Sequence, residues 1–232
     1  RTLDRASISA IVLLMESESE KPVQGKLSMT DIRRLVFDRL NTGGMKLNPQ
    51  EIRNSLNPGP FNKAIIRLSR DKLFTEVFGI PPYTENDIED FYENPKRQKN
   101  ALYSSMRDCE LILRYFALKD EQNIRGSMKS MLDRAMEVDL SQDQADEAEI
   151  EFKKLFEFCY NIFDGKPFEI SLPGQEKAKV SAALYDACMV AAGRLIADLN
   201  EITADKENVQ ERLADSIEDV SLYEIIVGKI NI

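Results

Sequence analysis

Apolar residues recur every three or four positions along most of the chain, which is the spacing of one face of an α-helix. The clearest case is the set Leu102, Met106, Cys109, Leu113 and Phe116. The pattern predicts helices over 3–15, 29–40, 49–56, 61–78, 99–118, 126–138, 142–163, 178–199, 203–217 and 221–227, with a shorter one over 87–93. Alternation of period two is nearly absent; only 167–172 reads as a short extended piece. We therefore expect a mostly α fold, a multi-helix orthogonal bundle with little or no β-sheet.

Residues 36–52 join a helix end to a polar turn and then to a strongly capped helix. The turn is Asn41-Thr-Gly-Gly44, and paired glycines allow positive φ and close backbone approach. Asn48 stands where an N-cap belongs, Pro49 at the first helical position, and Glu51 where a capping box needs it. Ser141 and Gln144 form the same signature further along. Asp164-Gly165 is expected to end that later helix.

The segment 166–179 contains proline and glycine and is the best internal boundary. It divides the chain into a helical region over 1–165 and a C-terminal helical subdomain over 166–232. With 232 residues, of which 43% are hydrophobic, the chain is large enough for a packed core.

Apolar runs and cysteine usage indicate the cellular compartment of the protein. No run of about 18 apolar residues occurs and no signal peptide is visible, so we expect a cytoplasmic protein without a membrane partner. The chain begins at Arg1 without a methionine, and we expect it to be a fragment, a processed product or the ordered remainder of a longer protein. The three cysteines, Cys109, Cys159 and Cys188, lie in apolar helical patterns and are expected to be reduced core residues.

The chain contains no histidine, which excludes His-ligated zinc, Ser-His-Asp and Cys-His centres and an HNH-type nuclease centre within it. No P-loop, GxGxxG or CxxC motif occurs. The acidic runs 85–90 and 143–147 lack the glycine of a calcium loop and are expected in the first turns of helices. We therefore expect no metal site and no resident cofactor in this chain.

Charge is unevenly distributed. The formal net charge is −9, made up of +2 over residues 1–100 and −11 over the remainder. The acidic part is a poor surface for phosphates, so any contact with nucleic acid is expected in the first part.

Two motifs carry a resemblance to a known family. Phe37-Asp-Arg-Leu-Asn-Thr-Gly-Gly44, followed by Leu47 and Gln50-Glu-Ile-Arg53, resembles the second signature of the GmrSD-type restriction endonuclease N-terminal domain family. That family has a ParB/sulfiredoxin-like head followed by a helical part. The segment 107–118, Arg-Asp-Cys-Glu-Leu-Ile-Leu-Arg-Tyr-Phe-Ala-Leu, looks like its arginine-bearing helix. The resemblance covers residues 1–170 well and the remainder loosely. It implies an intact prokaryotic protein that recognises or cleaves invading, often modified, DNA under nucleotide control, with NTP and Mg²⁺ as possible cofactors.

The resemblance also implies which residues form a site. Phe37, Arg39, Asn41, Gly43 and Gly44 would shape a pocket that faces a nucleotide or a DNA phosphate, with Arg107 or Arg114 turned toward it. The residue pattern alone leaves a second interpretation open. In that interpretation Arg39 meets carbonyls at a helix end, Asn41 is a C-cap, and Arg107, Glu110 and Arg114 form a solvated ion-pair stripe.

The family's first signature, Asp-Gly-Gln-Gln-Arg, does not occur in this chain, and its only Asp-Gly pair is at 164–165. The residues that the resemblance would make catalytic are therefore missing. We expect no catalytic residue here and no nuclease or NTPase activity from this polypeptide alone. The alternative function is a non-catalytic, all-helical module that binds a protein partner or the missing head domain, or that senses DNA.

Overall fold

The computed structural model describes residues 47–83, 94–170, 178–219 and 223–224. The helices predicted over 3–15, 29–40 and 87–93 lie outside these residues, as does most of the one over 221–227. The Asn41–Gly44 turn lies outside them too.

The described residues are mostly α-helical, which confirms the expected fold class. The α-helices, in chain order, are α1 Pro49–Leu56, α2 Pro60–Leu68, α3 Lys72–Val77, α4 Pro95–Gln98, α5 Ala101–Ser104, α6 Arg107–Lys119, α7 Met128–Met136, α8 Gln142–Ile162, α9 Ala182–Arg194, α10 Leu199–Ala204 and α11 Lys206–Glu218. A 3₁₀ turn, Glu121–Asn123, follows α6. Strands β1 Glu169–Ile170 and β2 Lys179–Val180 pair antiparallel, with Glu169 opposite Val180. Strand β1 lies within the piece predicted as extended.

Side chains that accept hydrogen bonds from free backbone N–H groups set the helix starts. Asn48 forms the predicted capping box with Glu51, and Ser141 forms the second one with Gln144. After α8, Asp164 and Gly165 both have positive φ, and this ends the helix where the sequence predicts. These signals are local, and for that reason they are readable from the sequence.

Three predicted helices are shorter in the structure, and at two of the new helix starts a short polar residue caps the backbone within an apolar pattern. Asp71 caps α3 and separates it from α2, so the helix predicted over 61–78 is two helices. The helix predicted over 99–118 breaks at Met106, which has φ 52°. The helix predicted over 178–199 starts later, because β2 occupies 179–180 and Ser181 caps α9.

The core lies between α2, α6, α8 and α9, with α7 packed on the far side of α6. Aromatic rings run through it: Phe116 and Phe152 are stacked with centroids 6.1 Å apart, and Phe152 and Phe156 with centroids 5.8 Å apart. Tyr115 meets Phe152 edge to face. Among the described helices, none is both long and apolar enough to cross a bilayer.

Helix α9 reaches this core through a small residue. A Cβ at Gly193 would lie 3.0 Å from the Tyr115 hydroxyl and 3.4 Å from its ring. The absence of a side chain at Gly193 therefore lets α9 approach α6 closely. Since α9 contacts both α6 and α8, helices on both sides of residue 165 share one core. The division into 1–165 and 166–232 stays a prediction.

Candidate functional site

Arg53 joins the two stretches that carry the family resemblance. It lies on α1 and is only 1% exposed. Its Nη1 donates to Gln50 Oε1 at 3.0 Å and to Glu110 Oε2 on α6 at 3.4 Å. Its Nε donates to Asp133 Oδ1 on α7 at 2.8 Å, and its Nη2 to the Lys129 carbonyl at 3.5 Å. We call these residues the Arg53 cluster.

A second set of contacts holds α1 against the start of α6. The Nδ2 of Asn48, whose Oδ1 caps α1, donates to the Ser105 carbonyl at 2.9 Å. The Nδ2 of Asn54 lies 3.3 Å from Met106 Sδ. Asn48 lies four residues after Gly44, and its partner Ser105 lies two residues before Arg107. The second half of the first motif and the start of the arginine-bearing helix form one local structure.

The structure describes two of the seven predicted site residues. Phe37, Arg39, Asn41, Gly43 and Gly44 lie outside the described residues. Arg107 is exposed and makes no ion pair with any described residue.

Arg114, by contrast, is part-buried and donates from Nε and Nη2 to the two carboxylate oxygens of Asp186 on α9, the Nε contact being 2.9 Å. Glu110 pairs with Arg53. Within the described part of the chain, Arg107, Glu110 and Arg114 therefore do not form a solvated stripe of ion pairs with one another.

Arg107 and Arg114 nevertheless open onto one cavity of about 270 Å³. It lies between α6 and the start of α9, and Glu110 also reaches it. Its other walls are apolar: Phe78, Leu102, Leu111, Val180 and Ala182. Two guanidiniums on apolar walls make a site that favours anionic oxygens, although the charge of Arg114 is already shared with Asp186.

A second cavity, of about 410 Å³, lies on the other side of the α6 N-terminus. Its walls include Glu51, Arg70, Tyr83, Tyr103 and Asp108. Asp108 is 3% exposed, and burial raises the pKa of its carboxyl group to about 6. The neighbouring Cys109 thiol lies 3.6 Å from Ser69 Oγ, and burial together with the Asp108 charge raises its pKa to about 12.

Two tyrosines build one wall of this cavity. The guanidinium carbon of Arg97 lies 3.7 Å from the centroid of the Tyr83 ring. Arg97 is itself held, because its Nε donates to the Pro81 carbonyl at 3.2 Å and its Nη2 to the Pro82 carbonyl at 2.5 Å. The hydroxyls of Tyr83 and Tyr103 are hydrogen-bonded to each other, and burial raises the pKa of both. The Tyr83 ring is therefore a fixed, half-buried plane.

The sequence interpretation missed this cavity. The pattern predicts Asp108 in the interior of the helix over 99–118, and the one available signal was a charged residue directly before the apolar run that begins at Cys109. Met106, at the cavity edge, takes the left-handed conformation with φ 52° and ψ 22°. This conformation is uncommon for a residue with a side chain, and such strained residues cluster at functional sites.

A third cavity, of about 540 Å³, lies between α6, α7 and α8. Several of its charged groups are held in structural contacts. Arg134 donates to Asn123 Oδ1 at 2.8 Å and to the Arg125 carbonyl at 2.7 Å. Lys119 pairs with Glu151 at 2.7 Å.

Residues 47–83, 94–170 and 178–219 contain no group of three or more carboxylate or thiol side chains able to hold a metal ion. All three cysteines are free thiols.

Comparisons with known proteins name no relative. No protein-family model, no curated protein and no solved structure matches this chain.

Proposed function

We propose that this chain is the helical portion of a GmrSD-like, DNA-directed restriction or anti-phage defence protein of the prokaryotic cytoplasm. It contributes Phe37, Arg39, Asn41, Gly43 and Gly44 to a pocket that faces a nucleotide or a DNA phosphate. NTP and Mg²⁺ belong to the intact protein, whose catalytic half carries the first signature. The resemblance of the two motifs is the basis of this proposal.

The observation that carries the proposal is the contact between the two motifs. Arg53 belongs to the first motif and Glu110 to the second, 57 residues later, and the two side chains meet at 3.4 Å. A buried guanidinium costs several kcal/mol of desolvation unless its donors are matched, and the Arg53 cluster matches them. Arg53 and Glu110, one from each motif, thus hold α1 against α6, as expected if the two motifs build one site.

Arg107 is the described residue best suited to a phosphate. Its side chain is exposed and has no ion pair with any described residue. In sequence it lies two residues after Ser105, whose carbonyl accepts a hydrogen bond from Asn48. A guanidinium binds phosphate oxygens through two parallel N–H groups. Arg114 lines the same 270 Å³ cavity, and its bond to Asp186 fixes α6 against α9.

A non-catalytic interaction module is the second candidate, and exposed apolar side chains favour it. Ile150 is 68% exposed, and Val138 and Ile124 are about half exposed. The net charge of −9 also suits a basic protein partner better than a broad phosphate surface.

The decisive experiment uses the product of the full reading frame beside the 232-residue chain. We expect NTP hydrolysis and DNA cleavage from the former only, because the first signature lies outside the latter. Metal-dependent cleavage by the purified 232-residue chain, abolished by replacing one of its own carboxylates, would show that the catalytic assignment is wrong.

Substitutions then test the site itself. In the intact protein, Arg107→Ala should weaken nucleotide or DNA binding at least tenfold, since a charge-assisted hydrogen bond contributes ~1.5–3 kcal/mol. Lys154→Ala is the control, because Lys154 is an exposed cation on α8, away from both motifs.

Asn41→Ala should lower activity far more than stability. If it instead lowers the melting temperature by several degrees and leaves the activity of the folded fraction unchanged, Asn41 is a helix cap and the site assignment is wrong.

A further inference from the structure

The 410 Å³ cavity contains a carboxylate that the fold does not neutralise. Asp108 is 97% buried and forms no ion pair with any described residue. Its Oδ1 accepts a hydrogen bond of 2.8 Å from the Cys109 N–H, and Ser69 also reaches it. A charged acceptor thus faces a space of the size that small-molecule sites have, roughly 300–1,000 Å³.

A simple capping role does not account for this carboxylate. Asn or Ser would accept the same N–H bond at the start of α6 without a buried charge. The chain instead keeps an aspartate where burial raises its pKa to about 6, next to a strained Met106. Both features are typical of binding sites, where preorganised groups are retained at some expense of stability.

The Tyr83 part of the cavity wall suits a flat heterocycle. Tyr83 is held in place by Arg97 at 3.7 Å, and its hydroxyl is bonded to that of Tyr103. Fixed tyrosine rings are the surfaces on which nucleobases stack in proteins. Arg70 completes the wall as a donor, 5.6 Å from the Tyr83 centroid.

We propose that this cavity binds a guanine base. The two oxygens of Asp108 accept the N1–H and 2-amino groups of guanine, Arg70 donates toward its O6 and N7, and Tyr83 stacks on the ring. Adenine presents a lone pair at N1, which a carboxylate repels, and cytosine offers only one N–H group to it. The donor and acceptor groups of the cavity therefore match guanine better than the other bases.

This inference deepens the proposed function and rests on it for the source of the base. The base arrives either on a free guanine nucleotide or on a nucleic-acid strand. The cavity is distinct from the 270 Å³ cavity of Arg107 and Arg114, so the base and the phosphate are assigned to different residues.

Isothermal titration of the 232-residue chain with guanosine tests the proposal, because guanosine carries no phosphate. Guanosine should bind at least tenfold more tightly than adenosine, and inosine, which lacks the 2-amino group, should fall between them. Asp108→Asn should weaken guanosine at least tenfold, which corresponds to about 1.4 kcal/mol. Glu157→Gln, which neutralises an exposed carboxylate on α8, should leave it unchanged.

Circular dichroism at the titration pH keeps loss of binding separate from loss of folding for the Asp108→Asn chain. Oligothymidylate carrying one guanine distinguishes the sources: tighter binding than guanosine identifies a strand, and weaker binding identifies a free nucleotide. Equal binding of guanosine and adenosine, no binding at millimolar guanosine, or an Asp108→Asn chain that binds as wild type would each overturn the proposal. An intact protein that binds guanosine but neither hydrolyses nucleotides nor cleaves DNA would refute the proposed function while leaving the guanine site intact.

Discussion

Replacing Arg53 by methionine should destabilise the protein severely. Methionine keeps much of the apolar stem but removes the guanidinium whose Nε lies 2.8 Å from Asp133, a residue whose side chain is 14% exposed. It also removes the donor to Glu110, whose side chain is 26% exposed. Removing one partner of a buried ion pair costs about 3–5 kcal/mol, because the remaining carboxylate loses a charge that offsets its desolvation. The free energy of unfolding of a domain is only about 5–15 kcal/mol, so the loss should be large in any denaturation curve.

The assay is urea denaturation followed by circular dichroism at the helix band, with a matched control on the surface. Arg67 also pairs with two carboxylates, Glu149 at 2.7 Å and Asp146 at 3.1 Å, but its side chain is 42% exposed. Arg67→Met should therefore cost about 1 kcal/mol or less.

Where Arg53→Met does not fold, Asp133→Asn gives a milder test of the same contact. A loss below about 1 kcal/mol for Arg53→Met would show that α1 detaches without cost to the core, and the reasoning about the Arg53 cluster would be wrong.

Three further outcomes follow from single contacts. Gly193→Ala should destabilise the protein by about 1–3 kcal/mol in thermal unfolding, because the new Cβ would lie 3.0 Å from Tyr115. Gly59→Ala is the control: a Cβ there has nothing within 4 Å, so stability should change by no more than about 0.5 kcal/mol, and equal effects of the two substitutions would contradict the reasoning. The Asp108 carboxyl has a folded pKa of about 6 against 3.8 ordinarily, so its ionisation penalty is absent below pH 3.8, grows as the pH rises, and is complete above pH 6. Asp108→Asn should then stabilise by up to about 3 kcal/mol at pH 7 and by little near pH 4, and a pH-independent difference would argue against a buried charge. The Cys109 thiol, with a pKa of about 12, should react with iodoacetamide at pH 8 only after unfolding, and rapid native modification would contradict its burial.

Features set by neighbouring residues were readable from the sequence, and features set by distant ones were not. The capping boxes at Asn48 and Ser141 involve residues three positions apart, and both occur as predicted. The break at Met106 has no local signal, because an apolar residue at helical spacing predicts continuation. Asn100 caps α5 shortly before this break, inside the span where the apolar spacing predicts an uninterrupted helix.

The same distinction applies to the candidate site. The sequence grouped Arg107, Glu110 and Arg114 by their shared helix face, but the partners of two of them lie on other helices. Arg114 pairs with Asp186, 72 positions away, and Glu110 with Arg53, 57 positions away. Whether a first-turn aspartate such as Asp108 is buried depends on what packs over it, here the residues around Arg70 and Tyr83. Pairings of this kind require the folded arrangement.

Helix α8 has a consequence for how the chain is made. Its 21 residues contact α2, α3, α9, α10 and α11, and they include the central rings of the aromatic core. A ribosome releases α2 and α3 about 90 residues before Ile162 completes their partner. Until then Ile65, Leu68 and Phe74, all 0% exposed in the folded protein, lack the α8 part of the surface that buries them. The nascent first half is therefore a client for chaperones, and a premature stop before residue 162 should yield an aggregating product rather than a smaller folded one.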